Sequence, residues 1–350
     1  MNTRMSFQSE QFISRLDQLI STLMSIADVP GLTIAVVKDA SVVWERGFGV
    51  KSTVLKGPVD ADTIFEAASL SKPVFAYAAL KLCSRGLLDL DTPLAHYYPA
   101  PYTEFGFDPN EPRLKLVTMR QVLSHSAGFG NWLEGEIGQI NFTPGERFLY
   151  AGEGYIYLQR VIEHLTREPL ATYMAKQVLE PLGMRSSSYT WLERYASEIA
   201  HGHGYRNIDV GDRWSQAFAA FSLYTTVRDY ATFLIEMMRT DQGDAYWLGA
   251  DELNTMITPQ IKINDQLSWG LGWGLEETTQ GRYFWHWGDL GDYTGFVLGS
   301  RARREGLVIL TNGEMGLSIC ERIMQEVIGG EHPCFSGFLE KEYDILSVNL

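Results

Sequence analysis

The sequence predicts an α/β chain of the α+β kind: an antiparallel sheet flanked by N- and C-terminal helices, plus a mainly helical lobe. Three observations predict it. Strand-like runs lie near both ends of the chain, helical periodicity fills the middle, and the outermost segments are amphipathic helices. The expected division is a discontinuous sheet lobe, 1–65 with 241–350, and a helical lobe, 66–240.

The elements follow in order. Phe12, Leu16, Leu19, Ile20, Leu23 and Ile26 recur at helical spacing, and Pro30-Gly31 ends that helix. Leu32–Val37 is rich in β-branched residues and is separated from Val42–Phe48 by Asp39-Ala40, a hairpin pattern. A helical pattern opens at Glu66-Ala67-Ala68-Ser69-Leu70-Ser71-Lys72-Pro73 and carries Val74, Ala78, Leu80 and Leu82. Pro73 suits a first turn, which has no intrahelical use for its missing N–H. Pro99, Pro101, Pro109 and Pro112 mark an irregular loop. Thr118 and Gln121 form a capping-box pattern for a short helix expected to run towards Gly128. Pro144-Gly145 precedes a helix with Tyr155, Ile156, Val161 and Ile162, and Pro169 opens the next. Thr226 opens a helix with Tyr230, Phe233, Leu234 and Met237 inward. Strand patterns return at Arg282–Trp287, Tyr293–Leu298 and Gly306–Leu310, and a last amphipathic helix spans Leu317 to Val327.

Composition bounds the function. The chain has 350 residues, 45% of them hydrophobic, enough for a large core. Its net charge of −14 argues against nucleic acid or an anionic membrane as main partner. Three cysteines without a Cys-x-x-Cys give neither a disulfide framework nor a zinc signature. No apolar run reaches the length of a membrane helix, and the first residues lack an apolar signal core. The expectation is a soluble cytoplasmic protein without cofactor or metal. His201-Gly202-His203 lacks further ligands at metal spacing and reads as a loop feature.

Three stretches carry chemistry. Ser69 and Lys72 lie one helical turn apart and share a face. A hydroxyl at a helix N-terminus beside a lysine with a depressed pKa can serve as a nucleophile; an ordinary cap serine with a surface lysine is the bland alternative. Tyr150 follows a proline-glycine turn and precedes a helix, so it is either core or a proton relay. His286 lies in Trp285-His286-Trp287-Gly288, on the opposite strand face from both tryptophans. Gly288 permits a close backbone approach, and the N–H of Asp289 can join that of Ser69 in holding an oxyanion.

Together these residues resemble the serine β-lactamase-like superfamily, in the branch of class C β-lactamases, DD-peptidases, D-aminopeptidases and family VIII carboxylesterases. Ser69-Leu70-Ser71-Lys72 resembles the nucleophile motif. Tyr150-Ala151-Gly152 matches Tyr-x-Asn at its tyrosine, and His286-Trp287-Gly288 resembles Lys-Thr-Gly in its His-x-Gly form. Leu123-Ser124-His125-Ser126-Ala127-Gly128, Pro181-Leu182-Gly183-Met184 and Trp269-Gly270-Leu271-Gly272-Trp273 also fit, so the likeness runs from about Leu16 to about Gly330. It implies a β-lactamase/transpeptidase-like fold and a covalent acyl-serine mechanism with Ser69, Lys72, Tyr150 and His286 catalytic.

Two departures shape the expected substrate. Gly152 stands where the family has an asparagine that contacts the acyl amide, and His286 replaces a permanently charged lysine. The expected substrates are small carboxylic esters. Alternatives are a D-amino-acid peptidase or DD-carboxypeptidase, a weak β-lactamase, an acyltransferase, or a non-catalytic sensor of β-lactams or cell-wall fragments. Gly152, Tyr224, Trp287, Gly288 and Trp132 are the candidate substrate contacts, with Tyr224 expected at the cleft rim. Trp269, Trp273 and Tyr293 are further candidates for an apolar acyl wall. His125 is expected to support a loop by hydrogen bonds.

Overall fold

The computed structural model of the chain describes residues 9–98, 111–131, 139–204, 213–241 and 247–340. The first helix, α1 (Glu10–Ile26), buries Phe12, Leu16, Ile20 and Leu23, the stripe its spacing predicts. The hairpin follows as β1 (Gly31–Lys38) and β2 (Ser41–Gly49). Its two turn residues, Asp39 and Ala40, have φ of 53° and 54°. Positive φ at both central positions gives a turn whose twist matches that of the strands.

Next come β3 (Phe65–Glu66), α2 (Ser71–Ser84), α3 (Leu94–Tyr97) and α4 (Met119–Leu123). The capping box at α4 forms as read, with Thr118 accepting from the Gln121 N–H and Gln121 from the Thr118 N–H. The helix stops well short of Gly128, however, because His125 takes a left-handed φ of 54°. The middle of the chain continues with α5 (Glu153–Thr166), α6 (Leu170–Met174), β4 (Tyr224–Thr225) and α7 (Val227–Met237). Thr226 caps α7 by accepting the Asp229 N–H at 3.1 Å.

After α8 (Ala250–Met256) the sheet resumes with β5 (Ile261–Lys262), β6 (Leu267–Trp269), β7 (Gly274–Thr278), β8 (Gly281–Asp289), β9 (Thr294–Ser300) and β10 (Glu305–Thr311). Helix α9 (Leu317–Val327) follows. Eight strands form one antiparallel sheet in the order β2-β1-β10-β9-β8-β7-β6-β5, so the two ends of the sequence meet where β1 pairs with β10. The sequence pattern did not show β5, β6 and β7. They are short, and Gly270-Leu271-Gly272 interrupts any alternation between β6 and β7.

The sheet is covered on both faces. Leu32, Ile34, Trp285, Trp287, Phe296 and Ile309 pack with α1 and α9. Ala35, Val37, Phe284, Val297 and Val308 pack with α2 and α7. Among the described residues no helix is long and apolar enough to cross a membrane.

Candidate active site

Ser69 lies in a 3₁₀ turn, Ala68–Leu70, that leads directly into α2. Ala68 ahead of it has φ +51°. A residue with a Cβ pays roughly 1–2 kcal/mol there, so the surrounding structure must enforce the turn. It does so with named contacts. Tyr230 Oη donates to Leu70 O at 2.9 Å, and Tyr189 Oη to Ser71 O at 2.6 Å. Ser71 Oγ donates to Ala68 O at 2.6 Å and accepts the Leu223 N–H at 3.0 Å. Ser69 stays partly exposed while Ala68, Leu70, Ser71 and Lys72 are buried. The turn thus presents one hydroxyl to the outside.

Lys72 is 2% exposed. Its Nζ donates to Ser69 Oγ at 2.8 Å and to Ala220 O at 2.9 Å. The rings of Tyr150 and Tyr155 have their centroids 5.0 Å and 5.7 Å from Nζ. Burial pushes its pKa from 10.5 down to about 7. Removal from water disfavours the charged form, which makes this amine available as a base near neutrality.

Tyr150 is brought to the same place. Burial raises its phenol above the ordinary value, and a hydrogen-bonding interaction with Ser69 opposes that rise. The phenol therefore keeps its proton at neutral pH. Its ring packs at a tilt against Trp287 at 4.7 Å and against His125 at 4.2 Å between centroids.

His286 is fully buried, and its ring centroid is 6.1 Å from that of Tyr150. Its Nδ1 lies 2.7 Å from Trp287 O. A carbonyl only accepts, so Nδ1 carries the proton and Nε2 is left as an acceptor. Burial, then the Lys72 charge, push its pKa down to about 3, so the ring is neutral. A neutral ring with its only N–H on a backbone carbonyl cannot donate to a leaving group.

Gly288 runs close to the serine turn: a Cβ there would come within 2.5 Å of Ala67 O. Only glycine allows β8 to lie against that turn. Asp289 follows at the end of β8, its exposed side chain accepting the Gly291 N–H at 2.7 Å. Gly152 is the N-cap of α5, with φ −78°, and its N–H donates to Asn131 Oδ1 at 3.4 Å.

Other expected contacts are placed differently. Tyr224 is completely buried, edge-on to Trp191, and its Oη accepts the Trp214 N–H at 3.0 Å. It is a core residue, not a rim residue. Trp287 is also buried and backs Tyr150 from within the sheet. Trp269, Trp273 and Tyr293 are buried too, so none of them offers an open wall. Trp132 lies outside the described residues. Trp214, Phe218 and Phe221 are partly exposed aromatics in the segment that leads to Ala220. Phe218 and Phe221 stack at 4.9 Å, and Trp214 meets Phe221 at 4.9 Å. Ala220, next to Phe221, supplies the carbonyl that holds Lys72. The sequence signal for this cluster was present in Trp214, Phe218 and Phe221, but nothing in it distinguished them from core.

His203 takes part in loop contacts, its Nε2 accepting the Thr53 N–H at 3.1 Å.

Comparison with known proteins shows the family of the chain. A family model described as Beta-lactamase matches residues 16–318. Esterase EstB of Burkholderia gladioli is 27% identical over 220 residues, covering 55% of this chain and 55% of that protein. Protein flp of Staphylococcus aureus is 22% identical over 334 residues, covering 89% of this chain and 64% of that protein. The chain therefore spans between half and two thirds of the length of these curated relatives. Among solved structures, the octameric penicillin-binding protein homologue from Pyrococcus abyssi superposes with a TM-score of 0.72 at 25% identity, covering 86% of this chain and 73% of that one. D-alanine carboxypeptidase AmpC from Burkholderia cenocepacia gives a TM-score of 0.77 at 19% identity, covering 91% and 99%. The fold is that of the β-lactamases and transpeptidases, and the chain belongs to the Beta-lactamase family.

Proposed function

We propose that the chain is a serine hydrolase that cleaves small, uncharged carboxylic esters through an acyl-serine intermediate. The observation that carries this reading is the buried Lys72 amine, 2.8 Å from Ser69 Oγ and pushed down to about 7. Neutral Lys72 takes the Ser69 proton as Oγ attacks the ester carbonyl. The N–H groups of Ser69 and Asp289 hold the oxyanion. Tyr150, whose phenol keeps its proton, passes that proton to the departing alkoxide and regains one through Lys72. The alcohol leaves, water attacks the acyl-serine by the reverse relay, and the acid and free Ser69 result. An alcohol or amine in place of water would give acyl transfer.

Two features favour esters over peptides and β-lactams. Gly152 has no side chain to pair with an acyl amide, and a buried amide left unpaired costs about 1–3 kcal/mol. His286 is neutral and supplies no charge for a substrate carboxylate. The Trp214, Phe218 and Phe221 cluster supplies an apolar surface for a short or medium acyl chain. The esterase name of one relative supports the same choice; the carboxypeptidase name of a structural neighbour supports the second reading, a D-amino-acid peptidase or weak β-lactamase. A non-catalytic sensor would have no use for a depressed lysine.

Intact mass spectrometry after exposure to a fluorophosphonate and to a penicillin tests the reading. A single adduct from the fluorophosphonate, absent in Ser69→Ala, is expected. No adduct from either reagent overturns the assignment of Ser69.

A further inference from the structure

The segment that carries Tyr150 is held on both sides of the tyrosine by His125. The backbone carbonyl of His125 accepts the Leu149 N–H at 2.8 Å, and its ring Nδ1 accepts the Ala151 N–H at 3.1 Å. The N–H groups of the two residues that flank Tyr150 are thus tied to the same residue. Its ring also lies against the Tyr150 ring, 4.2 Å between centroids and 35° between planes, with Tyr155 5.2 Å away. His125 is 2% exposed and sits at φ +54°. A non-glycine residue bears that conformation only where its contacts require it.

Because Nδ1 accepts from a backbone N–H, the ring is the neutral tautomer with its proton on Nε2. Protonation would turn Nδ1 into a second donor facing the Ala151 N–H and break the tie. Burial, then Lys72 and His286, keep the pKa well below the ordinary histidine value. The neighbours of the ring agree with this state. Lys72 and His286 are the titratable side chains whose charge bears on it, and the packed rings of Tyr150, Tyr155, Phe148 and Trp269 are uncharged.

We propose that His125 is a positioning residue of the proton relay: as a neutral clamp on the N–H groups of Leu149 and Ala151 it sets where the Tyr150 hydroxyl lies relative to Ser69 and Lys72. This rests on the reading of Tyr150 as a relay. It gives His125 no contact with the substrate, so it acts on kcat and not on binding. A displacement of about 1 Å at a reacting group can cost on the order of a hundredfold in rate.

Three variants separate the parts of the clamp. His125→Gly removes ring and acceptor but relieves the left-handed strain. His125→Phe keeps a ring and has no acceptor. His125→Asn keeps an acceptor, and asparagine tolerates positive φ. Each is measured for kcat and KM with p-nitrophenyl butyrate, for fluorophosphonate labelling rate and for melting temperature. His125→Gly and His125→Phe should lose about tenfold or more in kcat and labelling rate with KM little changed, and His125→Asn should recover most of that loss. In a Tyr150→Phe background the His125 variants should add little further loss.

Full kcat in both His125→Gly and His125→Phe overturns the proposal, as does equal rescue by phenylalanine and asparagine. Multiplying losses in the Tyr150→Phe background also overturn it. If His125→Gly does not fold, the comparison of phenylalanine with asparagine decides. A Tyr150→Phe single variant as active as wild type shows instead that the relay reading has failed, and the proposal falls with it.

Discussion

Replacing Lys72 with methionine keeps the length of the side chain and removes its titration. In the unfolded chain Lys72 holds its proton up to a pKa of 10.5; in the fold it releases it near 7. Between those values the unfolded state binds more protons than the folded state, so this group makes wild type more stable as pH rises. Below about 7 its full burial penalty is present; above 10.5 the penalty is gone. Within the window each pH unit is worth about 1.4 kcal/mol, so wild type gains roughly 3 kcal/mol on Lys72→Met between pH 7 and 9.5. Titrations common to both proteins cancel in that difference. The hydrogen bonds to Ser69 Oγ and Ala220 O contribute an offset in the stability difference, but the pH trend carries the test. Urea unfolding of both proteins at the two pH values measures it. In parallel, wild-type kcat/KM should rise with pH through a limb near 7, as the amine loses its proton, and Lys72→Met should be inactive. A stability difference that stays flat from pH 7 to 9.5, or a kinetic limb above pH 9, refutes the depressed lysine and with it the base assignment.

The remaining predictions concern single changes. Ser69→Ala should abolish p-nitrophenyl ester turnover and change unfolding free energy by only about 1 kcal/mol, the worth of one hydrogen bond. Lys72→Ala and Tyr150→Phe should each lower kcat by orders of magnitude, with the double variant little worse than either, because groups acting as one unit are non-additive; multiplying losses would show separate roles. Gly152→Asn should raise the ratio of penicillin or amide turnover to ester turnover by roughly ten- to a hundredfold in kcat/KM, since φ −78° suits asparagine and its carboxamide can pair with an acyl amide; an unchanged ratio counts against Gly152 as a specificity position. His332→Ala should destabilise the fold by about 1–3 kcal/mol in urea, because buried Glu276 would lose its His332 hydrogen bond and keep the Cys334 N–H at 3.0 Å.

Much of the fold was legible because its signals are local. The stripe of α1, the Asp39-Ala40 turn and the Thr118 and Thr226 caps each depend on residues a few positions apart, and each forms where its pattern lies. Strands β5 to β7 were not legible because two to five residues cannot show a period, and their pairing is set by neighbours in the sheet. The site divides in the same way. Ser69, Lys72, Tyr150 and His286 stand out by motif. The parts that tune them do not: Ala220 contributes a backbone carbonyl, which every residue has, and Tyr189 and Tyr230 act through hydroxyls aimed at the serine turn from distant helices and loops. Tyr224 shows the reverse error. Its segment does approach the site, but the strand pairing of Tyr224 with Glu66 turns it into the core while Phe221, three residues earlier, stays partly exposed.

The chemistry of the site follows from what surrounds Lys72. A carboxylate beside it would raise its pKa and keep it charged, as happens in an ordinary ion pair. Burial is instead the one cause of its shift, although the chain carries 43 acidic residues. Its hydrogen-bond partners are a hydroxyl and a carbonyl, which fix the direction of the amine without stabilising an ammonium as a carboxylate would. The rings around it are neutral as well: two tyrosines whose phenols stay protonated, and two histidines whose imidazoles stay unprotonated. A site built this way makes a base without making a charge. A substrate carboxylate placed near Lys72 would raise the lysine pKa and remove the base that the proposed mechanism needs. An uncharged ester leaves the amine as the fold sets it. On the proposed reading, the same desolvation that produces the base also disfavours charged acyl groups, so substrate choice and pH dependence should shift together in any variant that admits water to Lys72.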